Sequence, residues 1–399
     1  MENVNGVEPR FFPLDEELGL LPGSLTPVGH EQLVRLAGWI SFERAAEMYT
    51  DFTGIKVSGA MSRRYTEKAG AAYVEIQKEE VERLEKEKPE APGSKKKLQV
   101  SVDGAMVPLV KGEWAEVKTL VIGEVQPAVK EKEEWVVHTR ELSYFSRMMP
   151  AQEFERMALV EIHRRGVENA QDVAAVQDGA DWEQGFTDYH CPQAVRILDF
   201  PHAGEHINQV GQYLYGENTS QAQQWLQEHL FQLKDKGPDT LLAEFRQLKS
   251  QHPQASEISA NLAYLEKREN QLQYPKFRTQ GWPIGSGIVE SGNKLVVEVR
   301  LKGSGMHWAK PNVNSMLAIR NILCSDRWKE EWGKIALHLR PKHPHLPIQS
   351  EPLSPPLERP APPLPNQFKI VQHKKTKENP WRRFKLARAL YHPENFPKN

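Results

Sequence analysis

Three apolar runs of strand character each stop at an aspartate: "KLQVSV" before Asp103, "DVAAVQ" before Asp178 and "AVRIL" before Asp199. The first alternates with period two. Leu98, Val100 and Val102 fall on one side, and Gln99, Ser101 and Asp103 on the other, as in a strand with two unlike faces. The other two are short continuous apolar runs, the pattern of strands covered on both faces. Between them "EWAEVKTLVIGEV" and "EEWVVHTRELSYF" read as further strands. "AQEFERMALVEIHRR" reads as a helix with Phe154, Met157, Ala158 and Ile162 inward. The order is three strands, helix, strand, strand, helix. Consecutive strands favour antiparallel pairing and strands alternating with helices favour parallel pairing, so the expected fold is α/β with a mixed sheet.

The bulk numbers bound the rest. A chain of 399 residues suggests two or more domains. A formal net charge of −1 means that a nucleic-acid partner must be met by local basic patches. Cys191 and Cys324 form no CxxC pair, which argues against a disulfide framework or a structural zinc site and fits a reducing cytosol. No apolar stretch reaches membrane-spanning length, and "MENVNGVEPRFFPLDEELG" lacks the layout of a signal peptide. The expectation is a cytoplasmic protein with no membrane partner.

Residues 29–92 read as helical. "FERAAEMYTDF" puts Phe42, Ala45, Ala46, Tyr49 and Phe52 on one face, Gly54 suits a C-cap and Ser58 an N-cap. Helix, short turn and second helix with Arg63, Arg64 and Lys68 outward is the layout of a DNA-binding helix-turn-helix; a plain helical hairpin with a solvated basic face fits equally. "KPEAPGSKKK" marks a boundary. Residues 217–275 are helical and polar, and "GWPIGSGIVESGNK" breaks them. After about 340 the chain becomes proline-rich and then basic with interleaved aromatics, a linker and a tail suited to contacting nucleic-acid backbone or to conferring solubility.

Acids at strand ends plus one on a later helix can gather around two divalent cations. Glu290 is the late acid, with Glu298 its rival. Each has a structural alternative. Asp103–Gly104 and Asp178–Gly179 are turn dipeptides, with Asp181 a competing carboxylate; Glu290 suits a first helical turn; Asp199 suits a helix N-cap before Pro201. His202 and His206 have zinc-ligand spacing, but the glutamate stands at 205, so HExxH is absent.

The phrases "SVDGAMVPL", "VQDGADW", "ILDFPHAGEH", "ESGNKLVVEVRLKGSGMHW" and "RNILCSDRW", in this order, resemble the DDE transposases of bacterial insertion sequences, of the ISKra type related to the Mutator superfamily. The resemblance spans most of residues 10–330. It implies a ribonuclease-H-like mixed sheet with flanking helices over 97–216 and 276–330, a helical insertion over 217–275 and a helix-turn-helix region over 29–92. An N-terminal arm (1–28) and the proline-rich linker and basic tail (340–399) complete the division. It implies Asp103, Asp178 and Glu290 as catalytic, metal-binding acids holding two Mg2+ ions, with Mn2+ able to substitute. Asp199 and His202 match a D(2)H signature that supports the centre or handles DNA, although Asp199 is a rival for the second acid. Lys294, Arg300 and Lys302 are candidates for phosphate contacts, the alternative being a solvated helix face. The implied partners are double-stranded DNA at element ends and target, and further copies in a dimer or larger synaptic assembly, near the nucleoid. Relatives often carry a cysteine-rich zinc module near the N-terminus, where this chain has no cysteine. The alternatives are an inactive DNA-binding remnant and a metal-dependent hydrolase of another substrate.

Overall fold

The computed structural model describes residues 18–93, 96–131 and 134–340. Most of the expected N-terminal arm and essentially all of the proline-rich and basic C-terminal segment lie outside them. Three N-terminal helices come first: α1 (Pro27–Trp39), α2 (Phe42–Thr53) and α3 (Gly59–Glu87). Thr26, Ser41 and Ser58 cap their N-termini by accepting hydrogen bonds from Gly29, Arg44 and Met61 amides. Gly54 ends α2 in the left-handed conformation, φ 71°, as its position predicts.

Five strands form one sheet in the order β5-β2-β1-β6-β7: β1 (Lys97–Pro108), β2 (Trp114–Val125), β5 (Thr139–Arg147), β6 (Asp172–Gln177) and β7 (Val195–Leu198). β1 and β5 flank β2 antiparallel, whereas β6 pairs parallel with both β1 and β7. The result is a mixed α/β fold. Asp103–Gly104 is not a turn: β1 runs straight through it, with Asp103 opposite Thr119. The stretch "EEWVVHTRELSYF" is not one strand. It divides into β4 (Glu134–Val136), which pairs with β3 (Val129–Glu131) in a separate hairpin, and β5.

Helices cover both faces. On one, α4 (Ala151–Arg164) and α5 (Asp181–His190) bury Phe154, Met157 and Phe186 against Val100, Val102 and Leu120, joined by Val81 and Leu84 of α3. On the other, α1–α3 share a core with α11 (Gly287–Gly292), a π-helical stretch Asn293–Glu298, α12 (Val299–Leu301), α13 (Lys310–Cys324) and α14 (Trp328–Leu339). The approach of α3 to α13 is close enough that a Cβ on Gly70 would lie 2.0 Å from the Ser315 carbonyl oxygen. The proline–glycine–lysine boundary therefore ends a helix, but the helices before it and the sheet after it share one core. A third cluster belongs to α6 (Phe200–Tyr215), α7 (Ser220–Lys236), α8 (Pro238–Gln251), α9 (Ser256–Lys267) and α10 (Tyr274–Thr279), packed on Ala174, Val176, Ile197 and Leu198. Among the described residues no helix is long and apolar enough to cross a membrane.

Candidate metal centre

Strand register brings the three aspartates into one row, Asp103 within β1 and Asp178 and Asp199 just beyond β6 and β7. Gln99 lies opposite Ala174 and Gln177 opposite Leu198, so continuing each register puts Asp103, Asp178 and Asp199 level and on the same face. Adjacent strands are about 4.8 Å apart, so neighbours in that row are within reach of a shared ion. Asp103 and Asp178 do converge, and Glu183 of α5 joins them: one oxygen from each lies within 4.8 Å of the other two. Such a group can hold a metal ion.

Asp199 does not join. Its Oδ2 accepts the His202 amide at 2.9 Å, capping α6, and its Oδ1 accepts the Ser286 amide at 2.6 Å. At 3% exposure, and bonded to amides of two separate segments, it is a clamp between α6 and the segment leading to α11. Of the two rivals for the second acid, Asp178 and not Asp199 lies in the converging group.

Asp103 is held at both oxygens. Oδ1 accepts the Gly104 amide at 2.6 Å and Oδ2 accepts Asn293 Nδ2 at 2.8 Å. Burial pushes its carboxyl up to about 6, helped by the charges of Asp178 and Glu290 and opposed by the Gly104 amide and Asn293. Glu183 is almost fully buried and accepts the Gly179 amide at 3.0 Å. Burial, its hydrogen bond with Asp178 and the charges of Asp178 and Asp103 push it up to about 10. Near neutrality Glu183 is therefore protonated in the cation-free cluster.

These shifts have a sign. The folded chain holds the Asp103 and Glu183 protons more tightly than the unfolded chain, whose values lie near 3.8 and 4.5. Stability from both groups is full below about pH 4. It declines as pH rises through about 6 for Asp103 and on toward 10 for Glu183. Burial lowers His30 and His190 to about 4, and their contribution rises with pH, so the acids are read by difference: in urea melts of the cation-free protein, Glu183→Gln should gain stability relative to wild type as pH rises from 5 to 8. A difference between the two proteins that does not change with pH contradicts the cluster's electrostatics.

Glu290 stands outside the three, exposed on α11 one turn before Asn293, near enough for its charge to act on Asp103. Glu298 is paired with Lys302 at 2.7 Å. Asp181 points to solvent and pairs with Lys267 at 2.9 Å. Arg63, Arg64, Lys68 and Lys294 are exposed. Arg300 is not on a solvated face. It is 2% exposed, lies 4.6 Å from the Phe42 ring centre and 5.3 Å from that of Trp308, and donates to the Ala37 carbonyl at 3.0 Å. It is a structural residue and no phosphate contact.

Glu183 and Asn293 were missed by the reading of the sequence. Glu183 shares a helical face with Phe186 and Thr187, and an acid on an apolar face was the available signal. Asn293 follows Glu290 by three positions, hence on the same side of the helix. His202 and His206 are no zinc pair. His202 Nδ1 lies 3.3 Å from Glu205, and His206 Nδ1 lies 2.6 Å from Asn261 Oδ1. No protein-family model and no curated protein matches this chain.

Proposed function

We propose that the chain is a DDE transposase that cleaves and joins DNA strands at the ends of an insertion sequence, on a ribonuclease-H-like fold. The observation that carries this reading is the convergence of Asp103, on the central strand, with Asp178, at the end of the adjacent parallel strand, and Glu183. A mixed five-stranded sheet, β5-β2-β1 antiparallel and β1-β6-β7 parallel, is compatible with a ribonuclease-H-like fold. The helices α7–α9 occupy the place of the expected insertion, between β7 and the helix bearing Glu290.

The donor set fits hard divalent cations. All the converging ligands are carboxylate oxygens, the choice of Mg2+ and Mn2+ rather than of softer ions. Asn293 Oδ1, on the side chain that holds Asp103, is buried without a partner among the described residues. When bound, two such ions lower the pKa of water or a DNA 3′-hydroxyl and stabilise the leaving oxygen of an in-line displacement. The chain's own work is positioning. Asn293 and the Gly104 amide fix the Asp103 carboxylate, and Glu183 would hold a cation with Asp103 and Asp178 once its proton had passed to solvent. Glu290, exposed beside this group, is the acid free to complete it. Exposed Arg63, Arg64 and Lys68 on α3, with Lys294, supply phosphate contacts. Lys302, half-buried and paired with Glu298, contributes only by exchanging partners. Double-stranded DNA, a synaptic assembly of at least two copies and a cytoplasmic, nucleoid-associated location belong to this reading.

The test uses the full chain and a DNA fragment carrying the sequences that flank its own coding region. With Mg2+ or Mn2+ the protein should nick the fragment at the element boundary, and EDTA should abolish nicking while binding persists. Specific binding without nicks under either ion favours the DNA-binding remnant instead, and no binding at all favours a hydrolase of another substrate.

A further inference from the structure

The Asp178–Gly179 turn is held from outside the sheet, and the holders come from the helical insertion. Tyr264 of α9 donates its hydroxyl to the Asp178 carbonyl. Arg268, just beyond α9, donates through Nε to the Gly179 carbonyl at 3.2 Å and through Nη2 to the same oxygen. The Gly179 amide is taken by Glu183. Gly179 has φ +87°, and a Cβ there would lie 2.5 Å from Arg268 Nε and 2.8 Å from the Tyr264 hydroxyl, so the turn and its clamp admit glycine alone.

The clamp is itself braced. The Tyr264 ring is sandwiched between the His206 imidazole, stacked with centres 3.8 Å apart, and the Arg268 guanidinium, 3.7 Å from the ring centre. His206 is oriented by Asn261, whose Nδ2 donates to the Glu257 carbonyl at 2.8 Å. Asn261, Tyr264 and Arg268 all come from α9 or its C-terminal end, whereas His206 comes from α6, which Asp199 caps. One stack therefore joins the insertion, the helix after β7 and the turn that carries Asp178.

From this juxtaposition we propose that Tyr264 and Arg268 are positioning residues for Asp178, through which the insertion sets the cation affinity of the acidic centre. The inference rests on the reading of Asp103, Asp178 and Glu183 as a metal centre. Groups that orient a metal ligand typically govern affinity by about 10–100-fold. Tyr264→Phe keeps the ring, its stacking on His206 and its contact with Arg268, and deletes the one hydrogen bond to the Asp178 carbonyl.

The experiment is Mn2+ titration of the full chain near pH 7.5, followed by the electron paramagnetic resonance of free Mn2+, alongside thermal melts without metal. Tyr264→Phe should weaken Mn2+ binding about tenfold, while its metal-free melting temperature stays within a few degrees of wild type. Arg268→Lys, which keeps the charge over the ring but loses the fork on Gly179, should weaken it likewise and serves if Tyr264→Phe does not fold. Wild-type Mn2+ affinity in both variants overturns the proposal, as does a lowered metal-free melting temperature with unchanged affinity. A wild type that binds no more Mn2+ than Asp103→Asn overturns the metal centre itself, a different and recognisable failure.

Discussion

Asp103→Asn is expected to lower metal-dependent DNA cleavage by roughly 10^3-fold or more while leaving the fold intact and the cation-free protein more stable near pH 8. The catalytic loss follows from removing a charged ligand of ions whose share in transition-state stabilisation is several kcal/mol, each 1.36 kcal/mol being tenfold in rate. The gain in stability follows from the electrostatics of the cluster. Burial pushes the Asp103 carboxyl up to about 6, and the neighbouring acids add to that shift. Above that pH its charge opposes folding. The asparagine oxygen can still accept from the Gly104 amide, which now meets Oδ1 at 2.6 Å. Nicking assays together with urea melts read both halves. Loss of cleavage accompanied by loss of folding would leave Asp103 a structural residue and count against the account.

The second large effect concerns stability. Arg320 of α13 is fully buried, and its hydrogen-bond partners are backbone carbonyls. Its guanidinium donates to the Gly38 carbonyl at 2.9 Å, to Val296 at 3.3 Å and to Leu295. Gly38 belongs to the last turn of α1, where carbonyls lack helical partners, and Leu295 and Val296 lie in the π-helical stretch that follows Asn293. Arg320 thus ties the N-terminal helices to the helix that positions Asp103, with Arg300 beside it on Ala37. Arg320→Met keeps the apolar volume but strands these carbonyls. At about 1–3 kcal/mol for each buried group left unpaired, the expected loss is roughly 3–5 kcal/mol, a large share of the ordinary stability of a domain. Urea denaturation measures it; a loss under about 1 kcal/mol would show the carbonyls finding other partners. Arg300→Ala should behave in the same way and leave the salt dependence of DNA binding unchanged.

What could be read in the sequence was local. Serine and threonine caps, the αL glycine at 54 and the strands that stop before Asp178 and Asp199 obey short-range rules, and the structure has them where the residues suggest. Strand pairing decided the rest. Asp103–Gly104 has turn chemistry, yet antiparallel pairing with β2, Asp103 opposite Thr119 and Gly104 opposite Lys118, keeps it extended. Asp178 and Asp199 look alike in sequence. They differ because the Ser286 amide, 87 positions on, donates to one Asp199 oxygen, whereas the Asp178 carboxylate accepts from the amide of Ala180, two positions on. Arg300 sits in a basic stretch that reads as surface, and its burial depends on Ala37, 263 positions away. Glu183 was hidden by Asp181, the more conspicuous acid, although helical phase puts 183 and not 181 with Phe186.

The claim on which the account turns is that Asp103, Asp178 and Glu183 form a cation site. Anomalous diffraction from crystals of the full chain soaked in Mn2+ tests it most directly. The account predicts a peak within coordination distance, about 2.0–2.3 Å, of carboxylate oxygens of Asp103 and Asp178, lost in Asp103→Asn. A soak that leaves no peak between these two carboxylates, with Glu183 still hydrogen-bonded to Asp178, would contradict it.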